Sequence, residues 1–195
     1  AALGYTPMAE QNGGYPSGYL VVASQNQLTK GVSGTAQTPI TRANMARLTY
    51  NALDVPTMEQ ISWKANEPEY GIMDGSNGGE KKTLLSHALE VDTYEGYITD
   101  TYLVSGADIE DKSITIDYTK KNGENYVGDE TFDEAEGVDA ASFFGQSVVI
   151  YVKANEETDK KEIIAIAPKA TKNTSLVLDN SEIKGFDKEK KEIKY

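Results

Sequence analysis

The chain has 195 residues, of which 38% are hydrophobic and 26% charged, so it allows one sizeable domain or two small ones. Its formal charge of -12 argues against a surface that neutralises nucleic-acid phosphates or an anionic membrane. It has no cysteine and one histidine, His87, which excludes disulfides, zinc–thiolate centres, iron–sulfur clusters and multi-histidine metal sites. No cofactor is predicted, and most enzyme classes are disfavoured.

The two ends of the chain are interpreted as parts of elements that continue beyond them. Residues 1–5 carry no initiator Met and no signal-peptide pattern, and they are typical of a helix end stopped by Gly4. Residues 192–195 alternate like a strand that stops in mid-pattern. No segment approaches the roughly 20 apolar residues that span a bilayer, so no membrane insertion is expected.

Charge is distributed unevenly along the chain. Residues 1–62 have equal numbers of basic and acidic side chains, whereas residues 80–195 have 15 lysines against 25 acidic residues. The stretch between them is rich in glycine, and its core, Asp74–Gly79, is typical of a turn or linker. The sequence therefore predicts a helical segment over 1–62, a linker over 63–82 and an acidic β-rich domain over 83–195.

Two helices are predicted in the first segment. The first runs from about Gly18 to Thr29, with Ser17 as its N-cap. The second follows Thr41 as N-cap, ends at Val55–Pro56, and has an apolar stripe of Met45, Leu48, Ala52 and Leu53. So short a pair buries little apolar surface, so we expect its apolar faces to need another element or a neighbouring repeat.

The later part of the chain has the period-two alternation of β-strands. Strands are predicted over 94–104, 113–118, 147–153, 162–167 and 175–178, with hairpin connectors over 120–124 and 155–160. A capped helical turn over Asp139–Gly145 is expected to plug one end of the sheet. The predicted fold class is α+β: a helix pair followed by a small, mostly antiparallel, barrel-like β domain.

A family motif lies in the helical segment. It consists of Leu28-Thr29-Lys30-Gly31-Val32-Ser33-Gly34, then Ile40-Thr41-Arg42-Ala43-Asn44, then the helix to Leu53. This order of glycine-rich loop, threonine cap and helix resembles the S-layer homology (SLH) family over about a third of the chain, and residues 2–5 resemble the tail of a preceding repeat. Asn44 stands where the family usually has Glu, and the loop aromatic is missing at Ala36 and Gln37.

The resemblance implies that three such repeats pack together and hold an extracellular protein noncovalently to cell-wall polysaccharide. It also implies that Arg42 contacts the polymer, and the predicted polysaccharide-binding residues are Arg42, with Lys30 as a lesser second cation, and Thr41. A cation in the first turn opposes the helix dipole, whereas a guanidinium beside free N–H groups suits a carboxylated or pyruvylated sugar. The alternatives are an arginine that ties the loop to a neighbouring repeat and a solvated lysine before a C-cap glycine.

Only one whole repeat is present, so we expect this chain alone to bind wall polymer weakly or not at all. Its uncovered apolar faces also allow self-association.

The sequence gives little support for metal binding or catalysis. The acidic clusters at 108–111 and 129–136 are interpreted as solvated loops rather than calcium sites, because neither has the alternating frame of a calcium loop. His87 is interpreted as structurally incidental, Trp63 as a hydrophobic anchor between the two halves rather than a sugar-stacking platform, and Tyr50 as a core residue. No carboxylate pair or nucleophile motif indicates catalysis.

Two function classes remain from the sequence. The first is a noncatalytic, extracellular cell-surface protein of S-layer type, whose helical segment contributes to anchoring on cell-wall secondary polysaccharide. The second is the anchoring and spacer region of a larger wall-attached enzyme, such as a glycoside hydrolase. No metal site and no nucleic-acid partner are predicted in either case.

Overall fold

The structure, a computed structural model, describes residues 1–35, 37–76, 78–104, 112–174, 176–187 and 192–195. It is an α+β fold with a few helices and mostly β-sheet, which confirms the predicted class. The helices are α1 (Thr6–Gln11), α2 (Ser17–Gln25) and α3 (Arg42–Leu53), with a short π-helix at Leu84–Ala88 and a 3-10 turn at Ala141–Phe143. The strands are β1 (Met58–Lys64), β2 (Glu67–Ile72), β3 (Val91–Thr101), β4 (Ser113–Lys121), β5 (Glu124–Glu134), β6 (Ser147–Ala154), β7 (Lys161–Pro168), β8 (Gly185–Asp187) and β9 (Glu192–Lys194).

The helices follow the sequence prediction closely for α3 and only in part elsewhere. Helix α3 begins after Thr41 and ends at Leu53, as predicted. Helix α2 ends at Gln25 rather than Thr29, because the Asn26 side chain donates to the carbonyl of Val22 and the next residue turns left-handed at φ 58°. Helix α1, one and a half turns long with a proline in its first turn, was not predicted.

A small core joins the helices to the hairpin β1–β2. Leu3, Tyr5, Ala9, Val22 and Val55 are buried together. The chain start lies against β1, where the Met58 N–H donates to the Leu3 carbonyl at 2.8 Å. A Cβ on Gly4 would lie 1.8 Å from the Met58 carbonyl oxygen, so only glycine allows this approach. The Tyr5 hydroxyl donates to the carbonyl of Pro56 at 2.9 Å.

The stretch predicted as a linker from residue 63 instead contains the second half of the hairpin. Ala65 and Asn66 are both left-handed, at φ 50° and 67°, which is the conformation of a two-residue type I′ turn. Lys82 then bridges back to Glu59 at 2.9 Å, and its N–H donates to the carbonyl of Met73. The base of the hairpin is therefore tied to the chain that leads into the β domain.

The β domain is a closed set of five strands in the order β3-β4-β5-β7-β6, which we call the five-stranded ring. All its neighbours are antiparallel except β5 and β7, which pair in parallel through two residue pairs, Asp133 with Glu162 and Glu134 with Ile163. Apolar side chains from all five strands fill its interior, including Tyr94, Ile98, Ile114, Ile116, Phe132, Val148, Ile150 and Ile163.

Two predictions about the β domain are wrong. Residues 124–134 form strand β5, so most of the acidic cluster at 129–136 lies on a strand rather than in a solvated loop. Acidic residues lie on both sides of the buried Phe132 in this strand. They conceal the alternation of apolar and polar side chains by which a strand is recognised in a sequence. The described residues of the strand predicted at 175–178 are not in a strand, and Ser175 lies outside the described residues, as do Ala36 and the cluster at 108–111.

The helical turn between β5 and β6 is where it was expected. The Glu134 carboxylate accepts from the N–H groups of Ala140 and Ala141 at 2.7 and 2.8 Å. Asp139 accepts from the N–H of Ser142 at 3.2 Å. Ala140 and Ala141 are buried in the interior of the ring, so the turn closes part of it with two small side chains.

Candidate functional site

The start of α3 is a capped helix N-terminus with an exposed arginine in its first turn. The Thr41 hydroxyl accepts from the N–H of Asn44 at 3.1 Å. The first N–H that donates to a backbone carbonyl at this helix start is that of Met45, which bonds to Thr41, so the N–H groups of Arg42 and Ala43 have no partner within the helix. Thr41 therefore acts as the cap, and Arg42 stands beside the free N–H groups.

The departure at Asn44 has a structural role. Its side-chain amide donates to the carbonyl of Ser33 at 2.8 Å. A glutamate carboxylate has no proton to donate at neutral pH, so the family's usual residue could not make this bond. Asn44 therefore gives up the second half of a capping box and connects the glycine-rich loop to the helix instead.

A second asparagine holds the other end of the same loop. The Asn51 side-chain amide donates to the carbonyl of Leu28 at 2.8 Å and to that of Lys30 at 2.9 Å. Arg47 lies beside Gly31, where a Cβ would be 3.8 Å from the guanidinium Nε. The loop from Leu28 to Ser33 is thus fixed along α3 by two amide side chains, of which sequence reasoning singled out Asn44 but not Asn51.

The three predicted polymer-binding residues are all exposed. Arg42 borders a shallow depression on the outer side of α3 with Met45 and Tyr50, and Lys30 does not border it. Within the described residues, neither the guanidinium of Arg42 nor the ammonium of Lys30 has a hydrogen bond or ion pair to another side chain. Thr41 and Arg42 are adjacent, whereas Lys30 contributes its backbone carbonyl to the loop.

An apolar groove of about 680 Å³ lies between α3 and the chain start with α2. Val22, Leu28, Leu48 and Ala52 are among the residues that line it. Helix α3 has twelve residues and none of them is buried. The predicted stripe thus divides, with Leu48 and Ala52 in the groove and Met45 half exposed on the other side.

Two aromatic residues expected to be buried are exposed. The exposed fraction of Tyr50 is 62%, because its side of α3 faces away from the groove. That of Trp63 is 69%, so it does not anchor the two halves together. Burial raises the pKa of Tyr151 on β6, and the nearby Tyr50 and Asp54 raise it further.

The interior of the ring contains an aromatic cluster. The ring centroids of Tyr94 and Tyr118, and of Tyr94 and Phe132, are 4.9 Å apart. Burial raises the pKa of Tyr94 to about 12 against the opposing effect of the nearby Lys121 ammonium, and no group among the described residues meets hydrogen-bond geometry with its hydroxyl. Lys121 lies with Nζ 5.2 Å from the Tyr94 centroid. At neutral pH the phenol is therefore protonated, and the cluster is a packing feature.

Among the described residues, His87 and the acidic side chains form no group that could hold a metal ion. His87 is exposed in the π-helix, whose start is capped by reciprocal bonds between Thr83 and Ser86. Across the described ranges, no three His, Cys, Asp or Glu side chains are grouped so as to hold a metal ion. None of the helices in those ranges is both long and apolar enough to cross a bilayer.

Comparison with known proteins gives one similarity. No family model matches the chain, so the SLH resemblance stays a prediction. No solved structure matches it either. The Middle cell wall protein of Brevibacillus brevis is 24% identical to the chain in an alignment 193 residues long, which covers 91% of this chain and 16% of that protein. By sequence, this chain is therefore similar to a bacterial cell wall protein along nearly all of its length.

Proposed function

We propose that this chain is part of a noncatalytic, S-layer-type protein at the bacterial cell surface. Its helical segment contributes to noncovalent anchoring on an anionic cell-wall polysaccharide. The observation that carries the proposal is Arg42, exposed beside the free N–H groups at the start of α3, with no partner among the described residues. Similarity to a cell wall protein along nearly the whole chain supports the location.

The chemistry at the start of α3 suits an acidic sugar. A guanidinium presents a planar fork of donors that matches a carboxylate, and free N–H groups at a helix start add favourable partial charge. The two asparagine bonds hold the loop along the helix before any ligand arrives. The site would therefore lose little conformational entropy when the polymer binds.

The open groove supports a module of several repeats. It leaves apolar side chains of α2 and α3 uncovered, and an amphipathic helix of a neighbouring repeat has the chemistry to fill it. Arg42, on the outer side of α3, then contributes one part of a binding surface that several repeats share. The 195-residue chain alone then binds polymer weakly.

The test is sedimentation with purified cell walls, before and after chemical removal of their secondary polysaccharide. It uses both this chain and the longest wall-bound form that contains it. Arg42→Ala is expected to reduce binding of the longer form about tenfold or more, the cost of losing one charge-assisted contact. Its melting temperature should change little, because the side chain is exposed.

Arg47→Ala is the matched control, since it removes the same charge from the same helix at a position beside Gly31. If the Arg42→Ala variant binds as well as the wild type, Arg42 would be assigned to contacts between repeats. Equal loss in both variants would reduce the effect to net charge. Binding that survives removal of the secondary polysaccharide would refute the proposed ligand.

A further inference from the structure

The hairpin β1–β2 has one apolar face and one charged face. Its pairing places Met58 opposite Ile72, Gln60 opposite Tyr70, and Trp63 opposite Pro68, and these pairs share one face because β2 alternates at 68, 70 and 72. On the other face Ser62 donates to Glu69 at 2.6 Å, and Lys64 lies opposite Glu67 in the strand register. We call the outer part of the first face, Gln60, Trp63, Pro68 and Tyr70, the aromatic face.

A β-bulge places Trp63 on this face. The register shifts between Gln60 and Ser62, so one extra residue is inserted into β1. Without that shift, Ser62 would follow Gln60 on the same face and Trp63 would point to the charged side. The side chain of Ile61 packs over Gly71, where a Cβ would be 3.1 Å from it.

The inner and outer ends of the face have different surroundings. Met58 and Ile72 pack into the core with the helices, which fixes the base of the hairpin. Towards the turn, Tyr70 is 39% exposed and Trp63 is 69% exposed. Diagonal neighbours across two strands are about 7 to 8 Å apart, so a ligand that touches both rings must be extended.

The aromatic face is too small for a stable protein interface. The whole face of the hairpin, whose strands have seven and six residues, covers about 200 Å², from a rise of about 3.3 Å and a strand spacing of about 4.8 Å, and the aromatic face is only its outer part. A stable interface needs about 800 Å² from each partner. Its width instead matches a single extended polymer chain.

The charges indicate which polymer. The aromatic face carries only uncharged groups, with the Gln60 amide as a hydrogen-bond donor and acceptor for hydroxyl groups. The hairpin as a whole has three glutamates and one lysine, so it repels a polyanion. The C–H faces of a sugar ring carry partial positive charge, which the negative faces of indole and phenol rings attract.

We infer that the aromatic face of the hairpin binds an uncharged polysaccharide, with Trp63 and Tyr70 stacking on sugar rings and Gln60 contacting hydroxyls. This site differs from the anionic-polymer site proposed at Arg42 in position, charge and ligand, and it does not depend on it. The chain would then contact two wall polymers, one anionic and one uncharged, through two separate surfaces.

The test uses the fact that Trp63 is the only tryptophan in the chain, so intrinsic tryptophan fluorescence reports from this face alone. The probes are hexamers of N-acetylglucosamine and of glucose, with a hexamer of galacturonate as the charged comparison. We expect a saturable blue shift of the emission with at least one uncharged hexamer, because stacking removes the indole from water. We expect no shift with the galacturonate hexamer, because the glutamates of the hairpin repel it.

Variants are measured by calorimetry, which does not require tryptophan. Trp63→Ala and Tyr70→Ala should each weaken binding of the uncharged hexamer about tenfold or more. Tyr97→Ala, which removes an exposed tyrosine from β3, is the matched control and should bind like the wild type. Circular dichroism establishes that each variant is folded. Arg42→Ala should also leave this binding unchanged, so this inference and the proposed function fail separately.

Three results would overturn the inference. The first is an emission that no uncharged hexamer changes, and the second is equal binding by Trp63→Ala and the wild type. The third is a blue shift that grows with protein concentration in the absence of sugar, which would identify a second copy of the chain as the occupant.

Discussion

Replacement of Gly18 by alanine sets helix propensity against packing. Gly18 lies in the first turn of α2, is buried, and faces α1. In an exposed helix, alanine is more favourable than glycine by about 1 kcal/mol. Here a Cβ would lie 2.0 Å from the carbonyl oxygen of Ala9 and 3.1 Å from the carbonyl carbon of Asn12. Both neighbours are backbone atoms, which cannot rotate away as a side chain can. If about 3.2 Å is the closest tolerable contact, α1 and α2 must therefore move apart by more than about 1 Å.

The structure therefore predicts a net loss of stability. Overpacking costs about 1 to 3 kcal/mol, and separation of the helices also loosens the contact between Ala9 and Val22 in the small core. After the gain in propensity of about 1 kcal/mol is subtracted, overpacking leaves a loss of up to about 2 kcal/mol in the free energy of unfolding, and the loosened core adds to this loss. Propensity alone predicts a change of the opposite sign.

The assay is urea unfolding followed by circular dichroism at the helix band, with the midpoint and slope compared between proteins. Gly79→Ala is the control, because nothing lies within 4 Å of a Cβ there and its backbone is not left-handed. It should unfold at the wild-type midpoint or slightly above it. A Gly18→Ala protein that unfolds at the wild-type midpoint or higher would show that α1 and α2 do not cross this closely.

Two further predictions concern the ring. The Asp133 carboxylate accepts from Ser113 at 2.7 Å and from Lys160 at 3.1 Å, and these bonds, the Ser113 bond first, lower its pKa. Because the folded pKa is lowered, the carboxylate stabilises the fold above its unfolded pKa of about 3.9, and this stability is lost as pH falls through the folded pKa. Asp133→Ala should therefore lower the free energy of unfolding by about 1 to 2 kcal/mol near pH 7 and by progressively less below about pH 4. If the difference in urea midpoint between variant and wild type stays constant across that pH range, the reasoning is wrong. Tyr94→Phe removes a buried hydroxyl that has no hydrogen-bond partner among the described residues, so the melting temperature should stay constant or rise, and a clear fall would show that Lys121 or another group bonds to that oxygen.

The accuracy of sequence reasoning differed between elements for physical reasons. The limits of α3 were predictable, because Thr41 caps its start and Val55–Pro56 closes it locally. Strand β5 was missed, because its acidic residues on either side of Phe132 imitate a solvated loop, and only pairing with β4 identifies it as a strand. The order of strands around the ring depends on contacts between distant residues that no local pattern contains.

The candidate sites show the same division. Thr41 and Arg42 were predicted from a local motif, and the structure places them side by side at the helix start. The exposure of Trp63 was not predictable, because a single inserted residue in β1 decides which face of the hairpin it occupies. The turn at Ala65–Asn66 lacks the usual Asn-Gly signal, which concealed the hairpin itself. For Asn44, the departure from the family pattern was the available clue.

The contact between the chain start and β1 has a mechanical consequence. The Met58–Leu3 backbone bond and the Tyr5–Pro56 bond connect two points that are separated in sequence by all three α-helices. A pulling force applied through Leu3 and Met58 therefore acts first across these two bonds and leaves the helices and the loop beside Arg42 without load. Only after the bonds rupture would tension extend the helical segment. In a protein that is pulled at a cell surface, these two hydrogen bonds would keep the start of α3 folded until the force is large enough to break them.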